Sequence, residues 1–367
     1  TCEEMGLLGG SEFSLDGCKL PGNASKQSSG TFSGLKDKQH IIEKKVHSLL
    51  KQQLEADKLE EEVPVKKANR EKYLVKLKKQ AERIDRFLKE NDKKPGKQWK
   101  EIKSNITDND SALMKTSHGV IQGYNAQVMV DSKHQVIVQA ETFGDGQDHH
   151  LLAPVLSKAK ENMQAIGHAE DYFRGKVLTA DTGYHSNESI KKCEEEGLDA
   201  YIPDRNFRKR DDRFSEQQEY MKKQRKKFLL EDFSYNESTD QYECPNGKHL
   251  KLNCSRVTVT NRVYRRYRAD NDDCQGCHQW SKCLRNKQKN IKAKTLMVPV
   301  GMVGKNYSHE MSEKIDTERG RKFYPRRMAI VEPVFANIRT QKRLDRFTLR
   351  GKLKVNIQWL LYCIVHN

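Results

Sequence analysis

The sequence contains no apolar stretch long enough to cross a membrane, which takes about 18 or more consecutive apolar residues. Hydrophobic residues make up only 35% of the 367 residues, aromatic residues only 8%, and tryptophan occurs three times. No basic segment followed by an apolar segment opens the chain, so a secretory signal is not expected. The first residue is Thr1. We therefore expect a cytoplasmic protein that does not span a membrane and whose natural start lies upstream of Thr1.

Cysteine is present nine times, and five of the nine lie between residues 244 and 283. An odd and clustered set, in a chain without a secretory signal, argues against a framework of disulfides. It favours a metal site instead.

Neither part of the chain has a net acidic excess, and the basic excess is confined to the last third. Residues 1–250 hold 42 basic and 42 acidic side chains, whereas residues 251–367 hold 26 and 9. The formal net charge of +17 therefore belongs to the last third. Such an asymmetry indicates a polyanionic partner, of which nucleic acid is the simplest. The alternative is a solvated basic surface.

The hydrophobic pattern predicts a mixed α/β sheet flanked by helices. Apolar residues alternate with polar ones over 11–20, 124–131 and 135–141, which predicts strands, and KVLTAD (176–181) reads as a buried strand. Residues 35–93 have a helical period broken at Pro64, which predicts a helical hairpin. Helices are also expected from Asp148 to about Met163, from Ser186 to about Glu196 and at the C-terminus. Residues 95–118 look irregular.

Two acidic residues stand at predicted strand ends, and a third lies on a predicted helix. Asp16 comes before Gly17 at the end of the first strand, Asp181 ends KVLTAD, and Glu332 lies in the basic third. Ligand sites of open α/β sheets form at the carboxyl ends of strands. Three such carboxylates can hold two Mg²⁺ ions ~3.5–4 Å apart for phosphodiester chemistry. Taken singly, each acid could instead serve only as a turn residue, a helix cap or an ion-pair partner.

Four stretches carry a resemblance to a known family. SLDGCKLPGNAS, GYNAQVMVDSKHQVIVQA, VLTADTGYHS and YPRRMAIVEPVFANIR resemble the DDE transposases of prokaryotic insertion sequences, in the same order along the chain. The resemblance extends from about Met5 to Asn367. It implies an RNase H-like catalytic core in which Asp16, Asp181 and Glu332 form the acidic triad.

The resemblance also implies a branch with a Tyr–Arg–Glu–Lys signature in its last catalytic helix. Tyr324 and Arg327 keep their mutual spacing, Glu332 lies one residue further along than the pattern expects, and Arg339 replaces the lysine. Arginine keeps the phosphate-binding charge of lysine but changes its geometry. In the first motif, Cys18 stands where a threonine is more usual.

On this basis the chain divides into five segments. These are residues 1–34 (first strand of the catalytic core), 35–94 (helical insertion), 95–203 (catalytic core), 204–300 (cysteine-rich basic insertion) and 301–367 (C-terminal helices that complete the core).

The cysteine-rich insertion suggests a structural Zn²⁺. Cys274, Cys277 and Cys283 lie within ten residues, and Cys244 precedes a Pro-Asn-Gly turn. Four thiolates suit a tetrahedral zinc site, and the insertion holds few large apolar residues from which to build a core of its own. Cys254, His249 and His278 compete as fourth ligand. The alternative is a set of reduced, unliganded cysteines.

These expectations combine into one function with two rivals. We expect an Mg²⁺-dependent transposase that cuts the ends of a mobile element and joins them to target DNA, acting as a homodimer on DNA. Tyr324, Arg327, Arg339, Arg265 and Arg266 are the predicted DNA-binding residues. The rivals are a transposase remnant that binds DNA without catalysis and a nuclease of the RNase H class.

Overall fold

The computed structural model of the chain describes residues 1–59, 64–96, 100–214, 216–217, 227–259, 262–283, 292–300 and 306–367. The strands are β1 Glu12–Pro21, β2 Ser29–Gly30, β3 Lys94–Pro95, β4 Glu101–Ile102, β5 Ser104–Asn105, β6 Ala112–Thr116, β7 Gly119–Asp131, β8 Ile137–Phe143, β9 Val177–Ala180, β10 Asp199–Tyr201, β11 Ser234–Asn236, β12 Gln241–Glu243, β13 His249–Val259, β14 Arg262–Ala269 and β15 Thr295–Pro299.

The helices are α1 Phe32–Leu59, α2 Pro64–Glu90, α3 Leu152–Ala165, α4 Asn187–Glu195, α5 Phe207–Arg210, α6 Asn271–Cys274, α7 Trp280–Cys283, α8 Tyr307–Asp316, α9 Glu318–Phe323, α10 Arg326–Ala336 and α11 Lys352–His366. No helix in these described ranges is long and apolar enough to span a bilayer.

The chain folds into two compact units. The first unit holds residues 1–16, 129–138 and 148–332, and the second holds 17–128, 139–147 and 333–367. β1, β7 and β8 pass from one unit into the other. The structure therefore confirms a mixed α/β architecture with helices and a mixed sheet.

In the first unit, β9 lies between β1 and β10 and is parallel to both. All four residues of β9, VLTA, are buried, as is usual for a parallel strand that is covered on both faces. The predicted turn after β7 and the predicted strands over 135–141 and 176–181 are confirmed by β8 and β9. Asp148 does not cap α3, because a short 3₁₀ turn over Asp148–His150 comes first.

In the second unit, β6 pairs antiparallel with β7 in a hairpin. The prediction of an irregular segment before residue 118 is therefore wrong in part. The sequence of β6 shows no clear alternation of apolar and polar side chains, so its own residues do not identify it as a strand. It is a strand because it pairs with β7. α11 packs in this unit through buried Trp359, whose indole Nε1–H donates to the Gln127 carbonyl at 3.2 Å.

The helical hairpin was predicted correctly from its periodicity. α1 and α2 bury one common apolar seam, formed by Phe32, Leu35, Ile42, Leu77, Ile84 and Phe87. Pro64 is the first residue of α2, where its missing N–H costs least. The helical period over residues 35–93 also includes Tyr73 and Ala56. Tyr73 is 40% exposed, and the side chain of Ala56 lies outside the described residues.

Asp16 is not a turn residue, which was the alternative interpretation of its place before Gly17. β1 continues through both residues to Pro21. Gly17 is needed for a close approach rather than for a turn, because a Cβ there would lie 2.0 Å from Gln127 Nε2.

The cysteine-bearing segment forms a second antiparallel sheet in the order β11-β12-β13-β14-β15. Contrary to expectation, it has an apolar core of its own, formed by Phe233, Tyr242, Leu250, Tyr267, Ala269, Leu296 and Val298. Three of the core residues are aromatic, and aromatic side chains fill much space with few residues. The small number of apolar residues in this segment therefore did not indicate that it could form a core.

Candidate functional site

The register of two parallel strands brings the first two acids together. The last paired residues of β1 and β9 are Leu15 and Ala180. Asp16 and Asp181 come directly after them, and neighbouring strands lie about 4.8 Å apart. One pair further back, the hydroxyls of Ser14 and Thr179 are hydrogen bonded at 2.7 Å in a buried position. The two acids therefore start from adjacent and well-anchored backbone positions.

Asp181 is not used as a helix cap. It stands at the N-terminal position of a 3₁₀ turn over Thr182–Tyr184, yet its side chain makes no capping hydrogen bond. The turn is held in place by His185, whose ring nitrogens contact the Ile202 carbonyl at 2.8 Å and Ser308 Oγ at 2.6 Å. Because the turn does not need a capping bond from the Asp181 side chain, this carboxylate is available for chemistry.

A buried arginine lies at the two acids. Arg327, on α10, donates from Nη1 to Asp16 Oδ2, and its side chain is only 11% exposed. Burial acts to lower the pKa of Arg327, but the charges of Asp16 and Asp181 outweigh it and raise that pKa above its usual value. The guanidinium is therefore bonded to Asp16, is attracted by the charge of Asp181 and stays charged.

The ring of Tyr324 packs next to this arginine. Its ring centroid lies 6.0 Å from the Arg327 guanidinium carbon and 5.3 Å from the Phe207 ring. Burial, and after it the charge of Asp181, raises the pKa of the Tyr324 phenol. Tyr324, predicted to contact DNA, is thus engaged within the fold, where it positions Arg327.

A second ion pair fastens the start of α10 to β1. Arg326 Nη2 lies 2.8 Å from Glu12 Oε2, and Glu12 is buried at the first position of β1. Burial raises the pKa of Glu12, and Arg326 opposes that rise. Sequence reasoning missed this pair, although an acid as the first residue of a buried strand is a signal that it needs a cationic partner.

Glu332 is not gathered with the other two acids. It is exposed, and it follows Arg327 by five residues, which on a helix is about 140° around the axis. Among the described residues, no three side chains of the types His, Cys, Asp and Glu lie close enough to hold a metal ion. The convergence of Asp16, Asp181 and Glu332 on a metal pair stays a prediction.

The two predicted arginines of the second sheet differ in their surroundings. Arg265 shares the core face with Tyr267 and forms an ion pair with Asp240. Arg266, on the opposite face, donates from Nε to Asn253 Oδ1 at 2.8 Å, and Arg268 donates to Asn271 Oδ1 at 3.1 Å. A neutral asparagine positions a guanidinium without cancelling its charge. Arg339 is exposed, in a π-helical turn over Asn337–Gln341.

The four predicted zinc ligands line one small cavity, but no three of these described side chains lie close enough together to hold a metal ion, so the zinc site also stays a prediction. Cys244, Cys274, Cys277 and Cys283 all contribute to its wall. The backbone N–H of Lys248 donates to Cys244 Sγ, and that of Lys294 donates to Cys274 Sγ, both at 3.4 Å. Burial raises the pKa of the Cys274 and Cys283 thiols, and nearby cysteines add to the effect. Cys254, His249 and His278, the competing ligands, are not among the residues that line this cavity.

A comparison with known protein families finds a match for the C-terminal part of the chain. Residues 243–367 match the family described as a transposase DDE domain. No curated protein matches the chain. The family match covers about a third of the sequence, including Tyr324, Arg327, Glu332 and the four cysteines, and it supports a DDE transposase. It does not extend to Asp16 or Asp181.

We predict that His185 makes the stability of the protein depend on pH. Burial lowers the pKa of His185 below its ordinary value of 6.5, so the unfolded chain takes up a proton where the folded chain does not. The stability from neutral His185 is complete above pH 6.5 and is lost as the pH falls from there towards the folded pKa.

Thermal unfolding at about pH 7.5 and about pH 5.5 measures this effect. From the higher to the lower pH, the melting temperature of His185→Gln is expected to fall less than that of the wild type. The control His40→Gln changes an exposed histidine of α1 and is expected to keep the wild-type difference. Equal losses in all three proteins would contradict the prediction.

Proposed function

We propose that this chain is a transposase of a prokaryotic insertion sequence that cleaves DNA at the element ends and transfers the strands to a target. The observation that carries the proposal is the pair of adjacent acids, Asp16 and Asp181, arranged on parallel strands around a buried arginine. The match of residues 243–367 with a transposase DDE domain supports the reaction class. Glu332, inside the matched region, is the third acid of the proposed triad.

The acidic residues fit Mg²⁺ as the cofactor. Carboxylate oxygens are the ligands that this hard cation prefers, and Asp16 and Asp181 together already hold a buried positive group, Arg327. Asp16, Asp181 and Glu332 would hold the metal. When bound, Mg²⁺ activates the attacking oxygen and stabilises the leaving oxygen in phosphodiester chemistry.

The chain's own residues would position the DNA. Arg339 is exposed and can bind a backbone phosphate. Arg327 supplies a second guanidinium at the acids, and Tyr324 keeps it oriented. His185 holds the turn that follows Asp181, which fixes the carboxylate relative to β1. A homodimer on DNA and a cytoplasmic location complete the proposal.

We predict that Asp181→Asn abolishes Mg²⁺-dependent cleavage of DNA carrying the element ends, by about a thousandfold or more. The amide keeps the shape of the side chain but loses the charge that recruits the metal. Binding to the same DNA, measured by fluorescence anisotropy, is expected to stay near the wild-type value.

Asp171→Asn is the matched control, because Asp171 is an exposed acid in the turn segment that precedes β9. It is expected to cleave as the wild type does. A wild type that binds DNA but does not cleave it with Mg²⁺ or Mn²⁺ would favour the remnant without catalysis. Cleavage without any strand transfer would favour a nuclease.

We further propose that the exposed face of the second sheet binds DNA through Arg266 and Arg268. We name these two residues the basic face. Both side chains leave β14 on the side away from Tyr267, and both are held by neutral asparagines. Arg265, predicted with Arg266, is replaced in this role by Arg268, because its charge is compensated by Asp240.

We predict that Arg266→Ala and Arg268→Ala each weaken DNA binding to a similar extent for all sequences. Each lost phosphate contact should lower the slope of log affinity against log salt by about 0.9. Titrations at several salt concentrations measure this slope. Arg174→Ala changes an exposed arginine just before β9 and is expected to leave it unchanged. An unchanged slope in both basic-face variants would exclude this surface.

We also propose that Cys244, Cys274, Cys277 and Cys283 bind one structural Zn²⁺. Two tight turns present the thiols, with Gly247 and Gly276 in left-handed conformations at φ +71° and +75°. Backbone N–H groups that point at Cys244 and Cys274 would stabilise thiolates. Because the sheet has its own apolar core, zinc would hold α6, α7 and the turn after Cys244 together rather than fold the whole segment.

We predict one equivalent of zinc in protein purified under reducing conditions, as measured by elemental analysis. Cys274→Ser should lose most of it, because three thiolates bind zinc less tightly than four. Cys254→Ser, in the same sheet but outside the cavity, should keep it. Zinc absent from the wild type, or lost equally from both variants, would rule out this site.

A further inference from the structure

The ion pair between Arg327 and Asp16 occupies the position at which the proposed triad would hold its metal. The Arg327 side chain is 11% exposed and the Asp16 side chain 21% exposed. Asp181 acts on the same guanidinium through its charge. Two carboxylates on adjacent strands are therefore balanced by one positive group that comes from α10.

The pairing of Arg327 is incomplete. Its Nε atom is buried and has no acceptor among the described residues. A guanidinium has five N–H donors, and buried donors are rarely left unused. Arg327 thus gives up part of its hydrogen-bonding capacity in this position, so it loses less when it moves away than a fully bonded arginine would.

We propose that Arg327 and the divalent cation compete for the Asp16 carboxylate, so that Arg327 sets the affinity of the acidic site for metal. This inference rests on the proposed metal-dependent function. Asp16 cannot give the same oxygen in full to a guanidinium and to a metal ion. The positive charge of Arg327 also repels a dication in a poorly hydrated site, where charges are weakly screened. A metal ion that binds Asp16 Oδ2 must therefore displace the guanidinium from that oxygen.

The chain supplies a matched control in the preceding residue. Arg326 forms an ion pair with Glu12 on the same strand, β1, but its side chain is 51% exposed. Glu12 lies four residues before Asp16 and is not one of the proposed metal ligands. Arg326→Gln therefore removes the same charge from the same helix without freeing a metal ligand.

Calorimetric titration with Mn²⁺ in the absence of DNA tests the inference without using activity. Arg327→Gln is expected to bind Mn²⁺ about tenfold more tightly than the wild type, which corresponds to about 1.4 kcal/mol. Arg327→Lys, which keeps the charge, and Arg326→Gln are expected to stay within about twofold of the wild type. Unchanged or weaker binding by Arg327→Gln would overturn the inference.

A measurement on the wild type covers the case in which Arg327→Gln does not fold. The side-chain Nε–H resonance of Arg327, assigned by its loss in Arg327→Lys, is expected to shift when Mg²⁺ is added. A resonance that stays in place while Mg²⁺ binds at the acidic site, identified as binding that Asp181→Asn loses, would also overturn the inference. If the wild type binds neither ion, with Asp181→Asn as the reference for no binding, the proposed metal-dependent function itself fails.

Discussion

The contact between Arg327 and the two strand-end acids is the constraint on which the first unit depends. The parallel register of β1 and β9 puts Asp16 and Asp181 at neighbouring positions, where two carboxylates would repel each other. Burying such charges is costly unless a partner neutralises them. Arg327 supplies that partner from α10, and Tyr324 and Phe207 pack around it. The position of α10 and the spacing of the acids are therefore determined together.

Local pattern was sufficient to predict the elements that make up this arrangement. β9 is short and apolar, and an acid follows it. A strand that is buried on both faces can be recognised from such an apolar run alone. The seam between α1 and α2 follows from helical periodicity in the same way. In both cases the information lies within a few consecutive residues, so a single sequence contains it.

Pairings between distant residues could not be predicted in this way. The Asp16-Gly17 pair is a common turn signal, and only side chains far along the chain, those of Asn125 and Gln127, make the glycine necessary inside a strand. Nothing local distinguishes Arg326 from Arg327, yet one pairs with Glu12 and the other with Asp16. Arg265 is a different case, because strict alternation along β14 already places it on the same face as Tyr267.

The second sheet contains two groups of residues that can stabilise different parts of it, the apolar core and the cysteines. Its aromatic core lies under the face opposite to Arg266, and Cys244, Cys274 and Cys283 pack against the edge of that core. Burial keeps the Cys274 and Cys283 thiols protonated in the absence of metal, since it raises their pKa values. Metal binding at this cavity must therefore release protons. The core residues lie on or next to the strands, whereas Cys274 and Cys283 end α6 and α7 and Cys244 follows β12. In the proposed zinc site, the metal would therefore act on these short elements, and the strands that carry the basic face would depend on the apolar core.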